Sequence, residues 1–131
     1  MGGRRPADTL LCQTVGLSIA GGSHNPRVAL DLGYVNPQAR CHLEVAASTQ
    51  LGAATAYTQR KRQHNSTEDR CRAAGIDYQP IVFESFGGVA EEGRKVLCSL
   101  NRIVAENTNT PIQEVAQRFW TRMSFILQRA N

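Results

Sequence analysis

Arg27 to Val35 reads as one β-strand with a carboxylate in its middle, and that strand constrains the chain more than any other segment. Alternation along a strand sends Val28, Leu30, Leu32 and Tyr34 to one face and Asp31 and Gly33 to the other. A carboxylate set in an otherwise apolar strand costs free energy unless it is paired or binds a cation. A second aspartate, Asp8, stands just before another short, apolar, partly β-branched run, Thr9 to Val15. Between the two runs lies the turn cluster Gly21-Gly22-Ser23-His24-Asn25-Pro26. Residues 8–35 are therefore expected to form a hairpin carrying two acids on neighbouring strands. Such a pair suits Mg²⁺, which takes a few hard oxygen ligands and completes its octahedron with water and phosphate. The competing reading makes Asp8 a turn or cap residue and lets Asp31 face solvent on a one-sided sheet.

Downstream, residues 38–50 fit either a short helix or a loop. Residues 52–74 read as a polar helix closed by Gly75, with Asn65-Ser66 as a break point and Ser66 as a cap. Tyr57, Lys61, His64, Glu68 and Cys71 recur at spacings of four and three, which places them on one stripe. Lys61 is thereby expected to point toward the sheet, where an ammonium neutralises charge on an attacked phosphate. Its neighbours Arg60 and Arg62 are expected to face outward, as solvated or phosphate-contacting residues, and Arg70 belongs to the same basic surface. The alternative reading of Lys61 is that it is one more solvated charge in that basic run. Residues 78–84 read as a third strand ending in Glu84, which is open between a metal or water contact and a cap for the following turn and helix. Apolar residues at helical period predict helices over 89–106 and 111–129, the second with Thr110 as N-cap, Pro111 at the first helical position and Gln113 completing a capping box.

Composition narrows the function classes. One domain is expected from 131 residues with 41% apolar content. No apolar run approaches the roughly 20 residues of a membrane span, and no apolar segment of a secretory signal follows Arg4-Arg5. Cys12, Cys41, Cys71 and Cys98 contain no CxxC pair, so buried reduced thiols inside a cell are expected rather than a zinc or redox site. His24, His42 and His64 do not fall at metal-ligand spacings, no serine has a triad pattern, and the glycine pairs lack a nucleotide-binding fingerprint. The net charge of +4 permits nucleic-acid binding.

Arg5-Pro6-Ala7-Asp8, then Val28-Ala29-Leu30-Asp31-Leu32-Gly33, then a lysine-bearing polar helix, then Gly75-Ile76-Asp77-Tyr78-Gln79-Pro80-Ile81-Val82-Phe83-Glu84-Ser85-Phe86-Gly87-Gly88 form an ordered series. Together with the closing stretch from Phe119 to Asn131, this series resembles the restriction-endonuclease-like domain that follows the reverse transcriptase in site-specific non-LTR retrotransposons. The resemblance implies the PD-(D/E)-x-K fold: a small mixed sheet flanked by helices, α/β in class. It implies Asp8 and Asp31 as the acidic pair and Mg²⁺ as cofactor. The family's motif lysine, two residues after the second acid, is replaced by Gly33, so the resemblance assigns its role to a displaced lysine, Lys61. The family's first helix and strand have no counterpart ahead of Pro6. The chain is thus expected to be a truncated or domesticated piece, either an Mg²⁺-dependent nuclease or an inactive relative serving as a structural or nucleic-acid-binding subunit. An edge strand left unpaired, with Thr9 to Val15 uncharged, is expected to be covered by another protein or an RNA surface.

Overall fold

Strand alternation and helical period sort the apolar residues into two layers of side chains, one on each face of a sheet. The structure, a computed structural model, describes residues 9–12, 17, 19, 27–39 and 50–130. Asp8 lies outside the described residues. So do His24 and His42, together with the glycine-rich turn and residues 40–49 of the ambiguous segment 38–50.

Among the described residues the sheet has three strands in the order β1 (Thr9–Cys12), β2 (Arg27–Val35), β3 (Asp77–Glu84). β1 and β2 pair antiparallel, with Thr9 opposite Leu30, as the hairpin reading expects. β2 and β3 run parallel, with Asp31 opposite Pro80 and Gly33 opposite Val82, so the sheet is mixed. A parallel pair needs a long crossover. Here it contains α1 (Gly52–Gln63), a 3₁₀ turn (His64–Ser66) and α2 (Thr67–Ala73). The expected polar helix is split at Asn65 and Ser66, both left-handed at φ 53°. Ser66 stands at the N-cap of α2 without a side-chain cap bond. The hydroxyl of Thr67 closes the turn instead, donating to the His64 carbonyl at 2.6 Å.

One face of the sheet, Val28, Leu30, Ile81 and Phe83, packs on α3 (Glu91–Thr108) and α4 (Ile112–Ala130) through Val96, Leu97 and Leu127. Phe119, Trp120 and Met123 extend that core from α4. The other face carries Ala29, Val35, Tyr78 and Val82, which pack on Ala53 and Ala54 of α1 and Cys71 of α2. The result is an α/β arrangement with helices on both faces of the sheet. Leu32 and Tyr34 share the parity of Val28 but are half-exposed, because the α3–α4 core ends at Leu30 on that strand. α4 begins at Ile112, so Pro111 precedes its first helical residue instead of occupying it: the hydroxyl of Thr110 is engaged with Thr108, while the Pro111 carbonyl accepts from the amides of Glu114 and Val115. Among the described residues no helix is long and apolar enough to cross a membrane.

The outer edge of β3 is occupied. Ala90 donates its amide to the Val82 carbonyl, and the Arg62 guanidinium donates to the Tyr78 carbonyl at 3.2 Å. That contact corrects the expectation for Arg62. It does not face outward. It lies between Glu68 of α2 and Glu92 at the start of α3, and its side chain is only 14% exposed. A helix advances about 100° per residue, which turns position 62 off the Lys61 stripe. Two carboxylates from distant segments wait on that side.

Candidate functional site

Period-two alternation aims Asp31 at the α1–α2 face, and the spacing of four along α1 aims Lys61 back at it. The two meet: the Lys61 ammonium lies 3.0 Å from Asp31 Oδ2. Their side chains are each 17% exposed, so the pair is part-buried but reachable from solvent. Tyr78 donates its hydroxyl to the same carboxylate oxygen at 2.6 Å. The Lys61 ammonium also sits 5.4 Å from the centre of the Tyr57 ring, within cation–π range.

Gly33 permits this geometry. A Cβ at that position would stand 2.5 Å from Lys61 Cε, 3.1 Å from Tyr57 Cε1 and 3.3 Å from Val82 Cγ2. The stem of Lys61 therefore occupies the space a side chain at position 33 would fill. Gly33 is thus the residue over which the helical lysine reaches the acid.

The pair forms the floor of a cleft of about 590 Å³ between α1 and α2. Arg60, His64 and Asn65 line it from one side of the helix break, and Thr67, Arg70 and Cys71 from the other. Of the expected stripe, Tyr57, Lys61, His64 and Cys71 are all in the cleft, whereas Glu68 turns away to Arg62 and Arg72. The left-handed residues at 65 and 66 reset the helical phase, so a stripe drawn straight through them misplaces Glu68.

Glu84 is not in the cleft. Its Oε1 accepts from the Ala54 amide at 3.2 Å, in the first turn of α1. A carboxylate there satisfies an unpaired amide and complements the helix dipole. The sequence left Glu84 open between a metal contact and a cap, and it caps, though the helix is α1 rather than the one that follows. Its register partner is Val35, four residues along β2 from Asp31, or about 13 Å at strand rise. Asp31 is the one carboxylate lining the cleft among the described residues, which hold no group of three or more His, Cys, Asp or Glu side chains suited to a metal. Mg²⁺ in phosphate-processing sites takes one or two carboxylates, with water and substrate phosphate completing its shell. Asp31 meets the lower bound of that donor set, and Asp8 is the sequence's candidate for the second.

Tyr78 was missed by sequence reasoning, because nothing local shows that β3 lies beside β2 in this register. Its phenol is pushed far above its usual range, first by burial, then by its hydrogen bond to Asp31 and by the charge of that carboxylate. It therefore remains a donor throughout the neutral range. Because the folded value exceeds the unfolded value of about 10, its stabilisation is complete below about pH 10 and is lost as pH rises through the folded value. The Tyr78→Phe variant is expected to lose about 2 kcal/mol at neutral pH, the worth of a hydrogen bond to a charged group. It should also show a shallower alkaline decline than the parent. Urea midpoints across the alkaline range check both, and equal alkaline slopes would sink the assignment. Burial likewise raises the Cys71 thiol, helped by the charges of Asp31 and Glu68 and opposed by Arg70, so it sits in the cleft as an unreactive thiol.

No family model, no curated protein and no solved structure matches the chain.

Proposed function

We propose that this chain is a retroelement-derived, restriction-endonuclease-like domain that binds nucleic-acid phosphate in the α1–α2 cleft and hydrolyses a phosphodiester there with Mg²⁺. The observation that carries the reading is the seating of Lys61 on Asp31 across Gly33. A strand acid and a lysine beside it are what the PD-(D/E)-x-K pattern requires, and here the lysine arrives from the helix. When bound, Mg²⁺ polarises the phosphodiester and activates a water. Asp31 would supply oxygen ligation, with Asp8 as the candidate partner acid. Tyr78 fixes the carboxylate by holding Oδ2. Lys61 lines the cleft and has three N–H donors, so those not used on Asp31 are available to neutralise charge on the attacked phosphate. Arg60 and Arg70 contact flanking phosphates. Among the described residues Cys71 is buried and Cys98 half-buried.

A second reading keeps the binding and drops the chemistry: a catalytically inactive relative serving as a nucleic-acid-binding subunit, its β1 edge covered by a partner protein. It is favoured by the single carboxylate in the described part of the cleft. One experiment separates the two. The purified chain, Asp31→Asn and Asp8→Asn are incubated with single-stranded and duplex DNA with and without Mg²⁺, and cleavage and binding are both followed. Mg²⁺-dependent cleavage falling about 100-fold or more in each variant supports the nuclease. Binding without cleavage supports the subunit. Cleavage unchanged by Asp31→Asn, or no binding of any nucleic acid, overturns the proposal.

A further inference from the structure

The cations of α1 and α2 divide into two sets. Arg62 is held by Glu68 and Glu92, and Arg72 by Glu68 and Asp69. Arg60 and Arg70, which line the cleft, form no ion pair among the described residues. Within α1 and α2, positive charge without a counter-charge thus lies in the cleft, one arginine on each side of the Asn65–Ser66 break, with Lys61 between them; Arg94, Arg102, Arg122 and Arg129 belong to α3 and α4, outside it. The flanking surface of α2 carries the acids Glu68 and Asp69, the latter well exposed. Duplex binding relies on phosphates of two strands spread over a broad positive surface. A cationic groove with an aromatic wall suits one strand. Tyr57 provides that wall, and Arg60 overlies its ring at 6.0 Å. A phosphate must also descend to a floor pair that is only 17% exposed, which a single flexible strand does more readily than a rigid duplex backbone.

We infer that the cleft selects single-stranded over duplex nucleic acid, with Arg60 and Arg70 gripping successive phosphates from its two lips. The inference rests on the proposed function and adds the form of the substrate.

The test uses the full chain without Mg²⁺, so that binding is read apart from cleavage. A short fluorescein-labelled oligothymidine strand, and the same strand annealed to its oligoadenosine complement, are titrated by anisotropy at two salt concentrations. The single strand is expected to bind about tenfold more tightly or better, in line with base–aromatic stacking. Arg60→Gln and Arg70→Gln should each weaken single-strand binding and lower the salt slope by about 0.7, the value for one phosphate contact on a single strand. Arg72→Gln, whose arginine is already paired outside the cleft, should leave both unchanged. Tyr57→Leu, which keeps an apolar group against the α1 core, should narrow the gap between strand forms. Equal affinity for both forms, or a salt slope indifferent to Arg60 and Arg70, overturns the inference and leaves the proposed function standing. Failure to bind either form at low salt removes both.

Discussion

Moving the lysine from helix to strand is expected to restore what its removal abolishes. Lys61→Ala should reduce Mg²⁺-dependent cleavage by about two orders of magnitude, the usual cost of deleting one group that stabilises developing charge. If the second reading holds, the same variant weakens cleft binding instead. The double variant Lys61→Ala with Gly33→Lys should recover much of the loss. Residues 31 and 33 share a strand face, and a lysine side chain spans the roughly 7 Å between them. The 2.5 Å approach that a Cβ at 33 would make to Lys61 Cε disappears when the helical side chain is cut back. Its contacts with Tyr57 and Val82, at 3.1 and 3.3 Å, are tight but reach side-chain atoms that can give. Gly33→Lys alone should be impaired, because two lysines then compete for one carboxylate and one space. Cleavage assays with thermal unfolding as a folding control check the series. A well-folded double variant no more active than Lys61→Ala would end the idea that Lys61 stands in for a strand lysine.

The same residues show what the sequence could convey. Asp31 and Lys61 were legible because each obeys a local period: two along a strand, and three to four along a helix. Those rules decide which way a side chain points without knowing what lies there. The parallel pairing of β2 with β3 is not local, and so Tyr78, on the same carboxylate as Lys61, went unread. Asn65 and Ser66 were legible as a break but not as two left-handed residues in succession. The phase shift between α1 and α2, and with it the loss of Glu68 from the stripe, could not be foreseen. Glu84 shows a further limit, since a strand-end acid caps or ligates according to which helix start comes near it. The hairpin strands and the two C-terminal helices were readable because hydrophobic periodicity persists over enough residues to outweigh local ambiguity, whereas the mixed sheet was expected only from the resemblance.

Arg62 is where the local rule was correct in direction and wrong in consequence. It does leave the Lys61 stripe, but it enters a cluster instead of water. Its guanidinium bridges Glu68 and Glu92 and also donates to the Tyr78 carbonyl. Glu92 in turn accepts from Gln79, which is fully buried in β3. Burial is the largest single influence on the Arg62 guanidinium and acts to lower its pKa. The hydrogen bonds and charges of the two glutamates together outweigh it and leave the value raised. The cluster ties α1, α2, β3 and α3 together along the sheet edge, so its loss reaches both helical layers. Arg62→Met should cost about 3 kcal/mol, the lower end for breaking a part-buried pair, because two carboxylates are left facing each other. The melting temperature should fall by roughly 10 °C. Arg72→Met, at an exposed pair, should change stability by less than about 0.5 kcal/mol. Adding Glu92→Gln to Arg62→Met should recover part of the loss, since the two positions share one network. Urea denaturation of the four proteins measures this directly. A loss below about 1 kcal/mol for Arg62→Met would make the cluster an exposed surface pair in effect. In the same variants, a folded Arg62→Met chain that keeps its nucleic-acid affinity and salt slope would assign this arginine to the scaffold. A slope reduced by about 0.7 would return it to the phosphate-contacting set.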